Sequence, residues 1–264
     1  MTDISAKDVQ ALRRLTGAGV LDCKGALEES GGDLAAAQRV LREKGKAGAA
    51  KRAGREASQG AVALAVAGRN AAIVELRCET DFVAKADSFV SFTDELAQLV
   101  ATRGEEVLAE RSEAVDDLRT TLKENISIGK VVRFDLSQGA VVGTYLHVQS
   151  GRGVNAVLVE MLGGSEELAH DVAVHIAFAR PTYLRREDVP EDEIASERAT
   201  LEKISRNEGK PEAALGKIVE GRLNGWFAER VLVEQRYARD EKQTIAQLIG
   251  EAEVVRFAQV VVGG

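Results

Sequence analysis

The chain has 264 residues, of which 45% are hydrophobic, 29% charged and only 4% aromatic. Its 42 acidic residues outnumber its 35 basic residues, and a net charge of −7 argues against the broad basic surface that phosphate-backbone binding requires. We therefore expect no direct nucleic-acid partner. Two cysteines are too few for a disulfide scaffold, which favours a reducing cytoplasm.

The N-terminal residues and the apolar runs indicate where the protein resides. Charged residues within the first eleven positions interrupt the basic and then apolar pattern of a signal peptide. No apolar run approaches the ~20 residues that a membrane span needs. We expect an ordered, soluble, cytoplasmic protein with no membrane partner.

The first 45 residues predict three short helices that form a small bundle. Ser5 can cap the first helix and Asp33 the third, while glycines at 17–19 and 31–32 end the first two. The second helix is expected at 22–30. The apolar positions of the first and third helices are Val9, Leu12, Leu15, Leu34, Ala37, Val40 and Leu41. Residues 46–57 are rich in basic residues, glycine and alanine, which predicts a solvated linker or, as the alternative, a local basic contact surface.

Alternating apolar residues after the linker predict a β-hairpin. Val62, Leu64 and Val66 share one face of its first strand, residues 68–70 form the turn, and residues 71–78 alternate again. Two helices and a strand at 131–134 are expected to complete this unit. The apolar positions of the two helices are Phe89, Phe92, Leu96, Leu99 and Val100, then Val115, Leu118 and Leu122.

The same pattern then recurs, which indicates an internal duplication. Gly60-Ala-Val62 returns as Gly139-Ala-Val141, Gly68-Arg69 as Gly151-Arg152, and Val131-Val-Arg-Phe134 as Val254-Val-Arg-Phe257. Because the last pair is much further apart than the first, the second copy should carry an insertion.

The charged stretch after the helix at 165–180 is the candidate insertion. Sparse apolar residues and a Gly/Pro break at 207–211 predict an antiparallel coiled-coil hairpin at about 187–232. The predicted fold class is therefore α+β. A helical bundle at 1–45 and a linker at 46–57 precede two related lobes with small antiparallel sheets, at 58–138 and 139–264, and the second lobe carries the hairpin.

Searching for catalytic and metal-binding motifs finds none that fits its expected context. The P-loop, zinc-protease and nucleophile-elbow patterns are missing, and the G-x-G-x-x-A match at 151–156 precedes a strand where a nucleotide site needs a helix. His147, His170 and His175 do not have metal-ligand spacing, so structural or contact roles are favoured. Cys23 and Cys78 are expected to be buried free thiols. We predict no enzyme, no cofactor and no metal site.

One connector stands apart, because a phenylalanine follows an aspartate between a strand and a helix. The segment is Glu79-Thr80-Asp81-Phe82-Val83. In one interpretation Thr80 caps the helix, Asp81 favours its N-terminal dipole, and Phe82 packs into the protein's own core. In the other, Phe82 is an apolar wedge that enters a pocket of a partner beside the Asp81 carboxylate.

A resemblance to a known family favours the second interpretation. Its motifs follow one another along the chain, and they are Leu12-Arg13, Thr16-Gly-Ala-Gly19, Asp22-Cys-Lys24, Ala26-Leu27, Gly32-Asp33, Leu41-Arg-Glu-Lys-Gly45, Thr80-Asp-Phe-Val83 with Ala84-Lys85, His175-Ile-Ala177 with Pro181, Gly209-Lys-Pro211, Val219-Glu-Gly-Arg222 and residues 244–248. In this order, and over nearly its whole length, the chain resembles bacterial elongation factor Ts.

The resemblance implies a guanine-nucleotide exchange factor that acts on elongation factor Tu, a protein GTPase. It implies that residues 80–83 disturb the Mg²⁺ and phosphate site of that GTPase, with further contacts from Val20, Leu21 and His147. It also implies a UBA-like N-terminal bundle, and a coiled coil that serves other partners or a second copy, as in a homodimer or a 2:2 complex.

Two departures from the family and one rival interpretation remain at this stage. Many relatives have two methionines where Val20 and Leu21 stand, which changes the shape of this surface more than its polarity. Longer relatives continue into a C-terminal helix beyond the position of Gly264, and we expect weaker binding to the partner than in those longer relatives. The rival is a non-catalytic cytosolic adaptor or scaffold that acts through its coiled coil. It predicts that Phe82 is buried.

Overall fold

The computed structural model describes residues 4–52 and 54–264, and it has the mixed α+β composition that the sequence predicts. Its helices are α1 (Ala6–Thr16), α2 (Val20–Glu29), α3 (Leu34–Arg52), α4 (Asp81–Ala84), α5 (Asp87–Arg103), α6 (Val107–Glu110), α7 (Ser112–Leu122), α8 (Glu166–Ala179), α9 (Glu191–Asn207), α10 (Glu212–Arg230) and α11 (Ile245–Ile249). Its strands are β1 (Gln59–Ala67), β2 (Asn70–Cys78), β3 (Ser127–Asp135), β4 (Ala140–Gln149), β5 (Arg152–Leu162), β6 (Arg236–Tyr237), β7 (Asp240–Thr244) and β8 (Glu253–Val261). None of the helices within these described ranges is long and apolar enough to cross a membrane.

The described residues group into two compact units. The first comprises residues up to Arg133 together with Val148–Val154 and Val260–Gly264, and the second comprises Phe134–His147 and Asn155–Gln259. Helices α1–α3 therefore belong to the same unit as β1–β3 and α4–α7. The domain bounds expected from the sequence stay a prediction.

Helices α1–α3 start and end where their capping residues predict, with two exceptions. The Ser5 hydroxyl accepts a hydrogen bond from the Asp8 N–H, and the Asp33 carboxylate accepts from the N–H groups of Ala35 and Ala36. Helix α2 begins two residues earlier than expected, at Val20. Helix α3 continues to Arg52, well into the stretch predicted as a linker, because lysine, arginine and alanine are good helix formers.

The bundle has a small core, and two of the predicted apolar positions are not part of it. The core residues are Val9, Leu12, Cys23, Ala26, Leu27, Ala37 and Leu41. Leu15 and Leu34 are exposed, although helical spacing places each beside core positions. Periodicity assigns a face to each residue, but it does not show where that face ends.

In the first unit, the sheet order is β1-β2-β3, and β1 pairs antiparallel with β2 from Gln59–Cys78 to Ala67–Asn70. The two-residue turn needs a positive φ, which Gly68 adopts at 60°. Val62, Leu64 and Val66 share one face of β1, as predicted, and α5 packs against the other face. It carries Ala61, Ala63 and Ala65, whereas Val66 on the opposite face is exposed. Bulky aromatic residues of α5, Phe89 and Phe92, fill the space that the alanine side chains leave.

The sheet β4-β5-β8 has the same strand order as the first sheet, with a hairpin followed by a third strand beside the hairpin's second strand. The two shared motifs at 131–134 and 254–257 lie in β3 and β8, which are the third strands of the two sheets. In the second unit, α8 begins at the Ser165 cap and ends at Arg180 in a left-handed conformation, directly before Pro181.

Helices α9 and α10 follow α8 in the chain and precede β8, and they run antiparallel to each other. Gly209 (φ 72°) lies in the short turn between them. Arg198 pairs with Glu220 near the middle of the helices, and Arg206 pairs with Glu212 (3.5 Å) at the turn. The buried residues of α10 are Leu215, Val219, Leu223, Trp226 and Phe227. On α9, Ile204 is exposed.

His175 of α8 is buried and accommodated as a neutral imidazole. The N–H of Ala238 donates to its Nδ1 (3.2 Å), so Nε2 carries the hydrogen and donates to Oε1 of Gln235 (2.9 Å). Burial lowers the pKa of His175, because a charged ring would lose its hydration. Protonation would also remove the acceptor of the Ala238 N–H.

We expect this histidine to make the second unit sensitive to acid. With the pKa lower in the folded state, the unfolded chain binds the extra proton first, so the free energy of unfolding falls as the pH drops below about 6.5. Urea unfolding at pH 7.5 and 5.5, followed by the fluorescence of the single tryptophan, Trp226, measures this loss. A His175→Gln variant should lose less stability between the two pH values than the parent, and an equal loss in both proteins would contradict the prediction.

Candidate functional site

The segment with the exposed phenylalanine follows the end of β2 directly. Thr80 is in an extended conformation, and its hydroxyl accepts a hydrogen bond from the Val83 N–H (3.4 Å), which makes it the N-cap of the short helix α4. Ala84 is fully buried, and Val83 is half-buried against the core of the first unit. The helix therefore turns one face into the core and the other towards solvent.

Phe82 lies on the solvent side of α4, with 82% of its side chain exposed. The interpretation in which Phe82 packs into the protein's own core is wrong, and so is the adaptor's prediction of a buried Phe82. Exposing a whole phenylalanine is unfavourable in water. Its exposure on an anchored backbone leaves the whole ring available to a partner, which is what the second interpretation requires.

Asp81, beside Phe82, keeps a negative charge at neutral pH. Its Oδ2 lies 2.5 Å from the Lys85 ammonium, one helical turn away, and this hydrogen bond lowers the pKa of the carboxyl below its ordinary value. The charge is half-exposed, and it also lies in the first turn of α4, where the backbone dipole favours an anion. The site thus presents an apolar ring and an adjacent carboxylate.

Two glutamates hold the backbone before α4 by bonding to each other's chain segment. Glu124 Oε2 accepts from the N–H groups of Glu79 (2.9 Å) and Thr80 (3.0 Å), and its Oε1 accepts from the Thr80 hydroxyl. In return, Glu79 Oε1 accepts from the Asn125 N–H (2.7 Å). We refer to these four residues as the glutamate clamp.

Cys78, the last residue of β2, has a structural role beneath this clamp. Its thiol is buried and donates to the Thr80 carbonyl (3.2 Å), and burial is the main cause that raises its pKa to about 12. At neutral pH the sulfur is therefore a protonated thiol and a poor nucleophile or metal ligand. Both cysteines are free and buried, as predicted.

The start of α2 is a second exposed apolar surface on the same unit. Val20 and Leu21, the first two residues of the helix, are 50% and 83% exposed. Leu15, near the end of the preceding helix α1, is exposed as well. Asp22 pairs with Lys123 at 2.8 Å, which ties this helix start to the residue before Glu124. The structure thus presents Val20 and Leu21 to solvent, as a contact role requires.

The third predicted contact residue, His147, lies near the end of β4 and is exposed. Its ring stacks near Tyr145, with 6.4 Å between centroids, and its Nδ1 lies 3.4 Å from the tyrosine hydroxyl. His170 instead bonds the Thr144 carbonyl through Nδ1 (2.7 Å). Among the described residues, no three His, Cys, Asp or Glu side chains form a group that could hold a metal ion.

Sequence reasoning found the exposed residues of the site and the Thr80 cap, but it missed Glu124 and gave no role to Glu79. Glu124 and Glu79 carry no motif, and they are far apart in the chain. The sequence offers one local signal: Glu124 and Asn125 are polar residues that follow closely after Leu122, the last apolar position predicted for that helix. In the structure, Lys123 ends α7 in a left-handed conformation (φ 59°).

Comparisons with known proteins agree with the resemblance seen in the motifs. The family model described as Elongation factor TS matches residues 79–264. The chain is 44% identical over 278 residues to elongation factor Ts of Leifsonia xyli, with all of both chains covered. It is 43% identical over 280 residues to elongation factor Ts of Streptomyces griseus, again with full coverage. Against elongation factor Ts of Kineococcus radiotolerans it is 43% identical over 266 residues, which cover 96% of each chain.

Proposed function

The chain belongs to the elongation factor Ts family, and we propose that it releases GDP from elongation factor Tu by inserting Phe82 beside Asp81 into the GTPase. It is a translation elongation factor that interacts with elongation factor Tu and promotes exchange of its GDP for GTP. A nucleotide exchange factor is not an enzyme in the usual sense, because no covalent bond changes. The observation that carries the proposed site is the 82% exposure of Phe82 on an anchored helix.

The proposed mechanism acts on the metal site of the partner. Mg²⁺ demands near-octahedral geometry and is shared between nucleotide phosphates and protein oxygens in GTPases. A small displacement of those protein groups weakens the whole set of ligands. Phe82 supplies the apolar contact area for such a displacement, Asp81 supplies a negative charge, and Thr80 and Val83 hold the short helix in place at its start and on its buried side.

The contact can promote exchange only through a difference in binding free energy between the nucleotide-free and the nucleotide-bound GTPase. The factor can favour the nucleotide-free GTPase only by binding it more tightly than the nucleotide-bound form. Linkage then requires that GDP weaken the binding of the factor by the same ratio. The factor is regenerated unchanged when GTP displaces it.

We propose Val20 and Leu21 as a further contact with the GTPase, and His147 as another. The exposure of all three side chains supports these assignments. Val20 and Leu21 give a β-branched and a γ-branched apolar side chain at the helix start, and the exposed His147 ring stacks near Tyr145.

The finer features of the fold are proposals as well. We propose that α1–α3 form a UBA-like bundle and that α9 and α10 form an antiparallel coiled coil, which the cross-helix ion pairs and the apolar side of α10 support. The coiled coil would serve further partners or a second copy, in the latter case as a homodimer or a 2:2 complex. We place the protein in the cytoplasm, where translation occurs, without direct nucleic-acid or membrane contacts.

The test of the function is the release of a fluorescent GDP analogue from elongation factor Tu. The dissociation rate is measured with excess unlabelled GDP, with and without the chain. We expect the chain to accelerate release in a concentration-dependent, saturable way. A rate that stays at the spontaneous value at every concentration would refute exchange activity.

A further inference from the structure

The backbone of residues 79 and 80 leads into helix α4, which carries Phe82, the proposed wedge. The N–H groups of these two residues need hydrogen-bond partners that the pairing of β1 with β2 does not supply. The pairing of β1 with β2 ends at Gln59 and Cys78, so the N–H groups of Glu79 and Thr80 lie beyond that ladder. Unpaired backbone donors near a core are unfavourable. The Glu124 carboxylate accepts from both of them, at 2.9 and 3.0 Å.

The same carboxylate also sets the cap of α4. Its Oε1 accepts from the Thr80 hydroxyl, whose oxygen in turn accepts from the Val83 N–H. A hydroxyl that donates to a charged oxygen becomes a better acceptor, so the two bonds reinforce each other. This chain of bonds runs from Glu124 through Thr80 to the first turn of the helix.

Helix α4 is too short to fix Phe82 without this support. It has four residues, Asp81–Ala84, and a single helical turn is not stable by itself in water. Phe82 is its second residue, and its side chain has few contacts because it is largely exposed. Val83 and Ala84 anchor the end of the helix in the core, so the direction of Phe82 depends on how the backbone at 79–81 is held at the start of the helix.

We infer that Glu124 is the positioning residue of the exchange wedge: through the Thr80 cap it holds Phe82 in the direction in which it enters elongation factor Tu. This inference rests on the proposed function of Phe82. Glu124 itself is half-buried beneath the connector and is not required to touch the partner. Its effect is pre-organisation, since a wedge that is already ordered loses less conformational freedom on binding.

The clamp is reciprocal, which explains how a side chain from a distant segment can act as a rigid support. Glu79 Oε1 accepts from the Asn125 N–H (2.7 Å), so the segment that carries Glu124 is itself held by the connector. Asn125 Nδ2 also donates to the Arg55 carbonyl (2.7 Å), and the Arg55 guanidinium contacts Glu79 at 3.3 Å. Neither segment can shift without breaking bonds to the other.

A double-mutant cycle separates positioning from general stability. The maximal rate of GDP-analogue release at saturating factor is measured for the parent, Glu124→Ala, Phe82→Ala and the double variant. We expect Glu124→Ala to lower the maximal rate about tenfold in the parent and by less than about twofold when Phe82 is already alanine. Glu110→Ala, which removes an exposed partner of Arg103 in the same unit, is the control and should leave the rate unchanged.

Two further measurements keep the test independent of folding. Glu124→Gln keeps the shape and one oxygen for the N–H groups of Glu79 and Thr80, but it places an NH2 donor where the Thr80 hydroxyl now donates, so its rate should lie between those of the parent and Glu124→Ala. In Glu124→Ala, hydrogen exchange should accelerate at the amides of residues 79, 80 and 83, while the strand amides of β2 stay protected. Faster exchange throughout the unit would mean a general structural role and would overturn the inference.

The remaining outcomes distinguish this inference from the proposed function. If Phe82→Ala slows release and Glu124→Ala does not, the wedge stands and the positioning role is refuted. If Glu124→Ala costs the same factor in both backgrounds, it does not act through Phe82, and the inference is wrong. If Phe82→Ala leaves the rate unchanged, the wedge itself is refuted, and the positioning role with it.

Discussion

Replacing Phe82 with alanine is expected to slow GDP release from elongation factor Tu by about 30- to 140-fold while the chain stays folded. An aromatic side chain at the centre of an interface commonly contributes about 2–3 kcal/mol to binding, and each 1.4 kcal/mol corresponds to a factor of ten. Because the wedge is proposed to bind the nucleotide-free form preferentially, its loss reduces the acceleration and not only the affinity. The measurement is the maximal release rate at saturating factor.

The stability of the Phe82→Ala variant should be close to that of the parent. The side chain is 82% exposed, and surface substitutions away from special features change the free energy of unfolding by about 0.5 kcal/mol or less. Phe178 on α8 offers a matched control, since it is a phenylalanine with 79% exposure in a helix outside the proposed contact. Phe178→Ala should leave the release rate within about twofold of the parent. Equal losses for the two variants would show that the effect of Phe82 is not specific.

The sequence predicted those features of the site that depend on neighbouring residues. Thr80 was expected to cap a helix, and it does, because capping involves atoms only three residues apart. The hairpin of β1 and β2 was expected from its turn, and Gly68 adopts the positive φ that the turn needs. What the local pattern left open was the direction of Phe82, towards the core or towards solvent, since both suit the same helix start.

Features that depend on distant residues were beyond the sequence pattern. The alanine face of β1 packs against α5 because aromatic side chains of that helix occupy the space, and an alternation of apolar residues is equally consistent with either face. The glutamate clamp joins segments that only the folded chain brings together. Tertiary contact also accounts for part of the unexpected length of α3, since the guanidinium of Arg52, in the added turns, donates to the Arg119 carbonyl (3.3 Å).

Gly143 is another residue whose role depends on a distant segment of the chain, because nothing local in β4 demands a glycine there. Its φ is not in the left-handed region, and it lies within a strand, where glycine is intrinsically unfavourable. The requirement comes from α8. A Cβ at this position would lie 2.1 Å from the Ala169 carbonyl oxygen and 2.8 Å from the His170 nitrogen, which are backbone atoms that cannot rotate away.

Gly143→Ala is therefore expected to destabilise the second unit by about 3 kcal/mol, at the upper end of the cost of overpacking. The strand and the helix would have to separate, although the hydrogen bond from His170 Nδ1 to the Thr144 carbonyl (2.7 Å) holds them together beside the clash. Urea unfolding followed by Trp226 fluorescence and circular dichroism measures the change. Gly221→Ala is the matched control: this glycine lies on the exposed side of α10 with no atom within 4 Å of an added Cβ, so alanine should stabilise the helix by about 0.5–1 kcal/mol. A Gly143→Ala variant as stable as the parent would mean that β4 and α8 can move apart freely, and that close backbone packing does not explain this glycine.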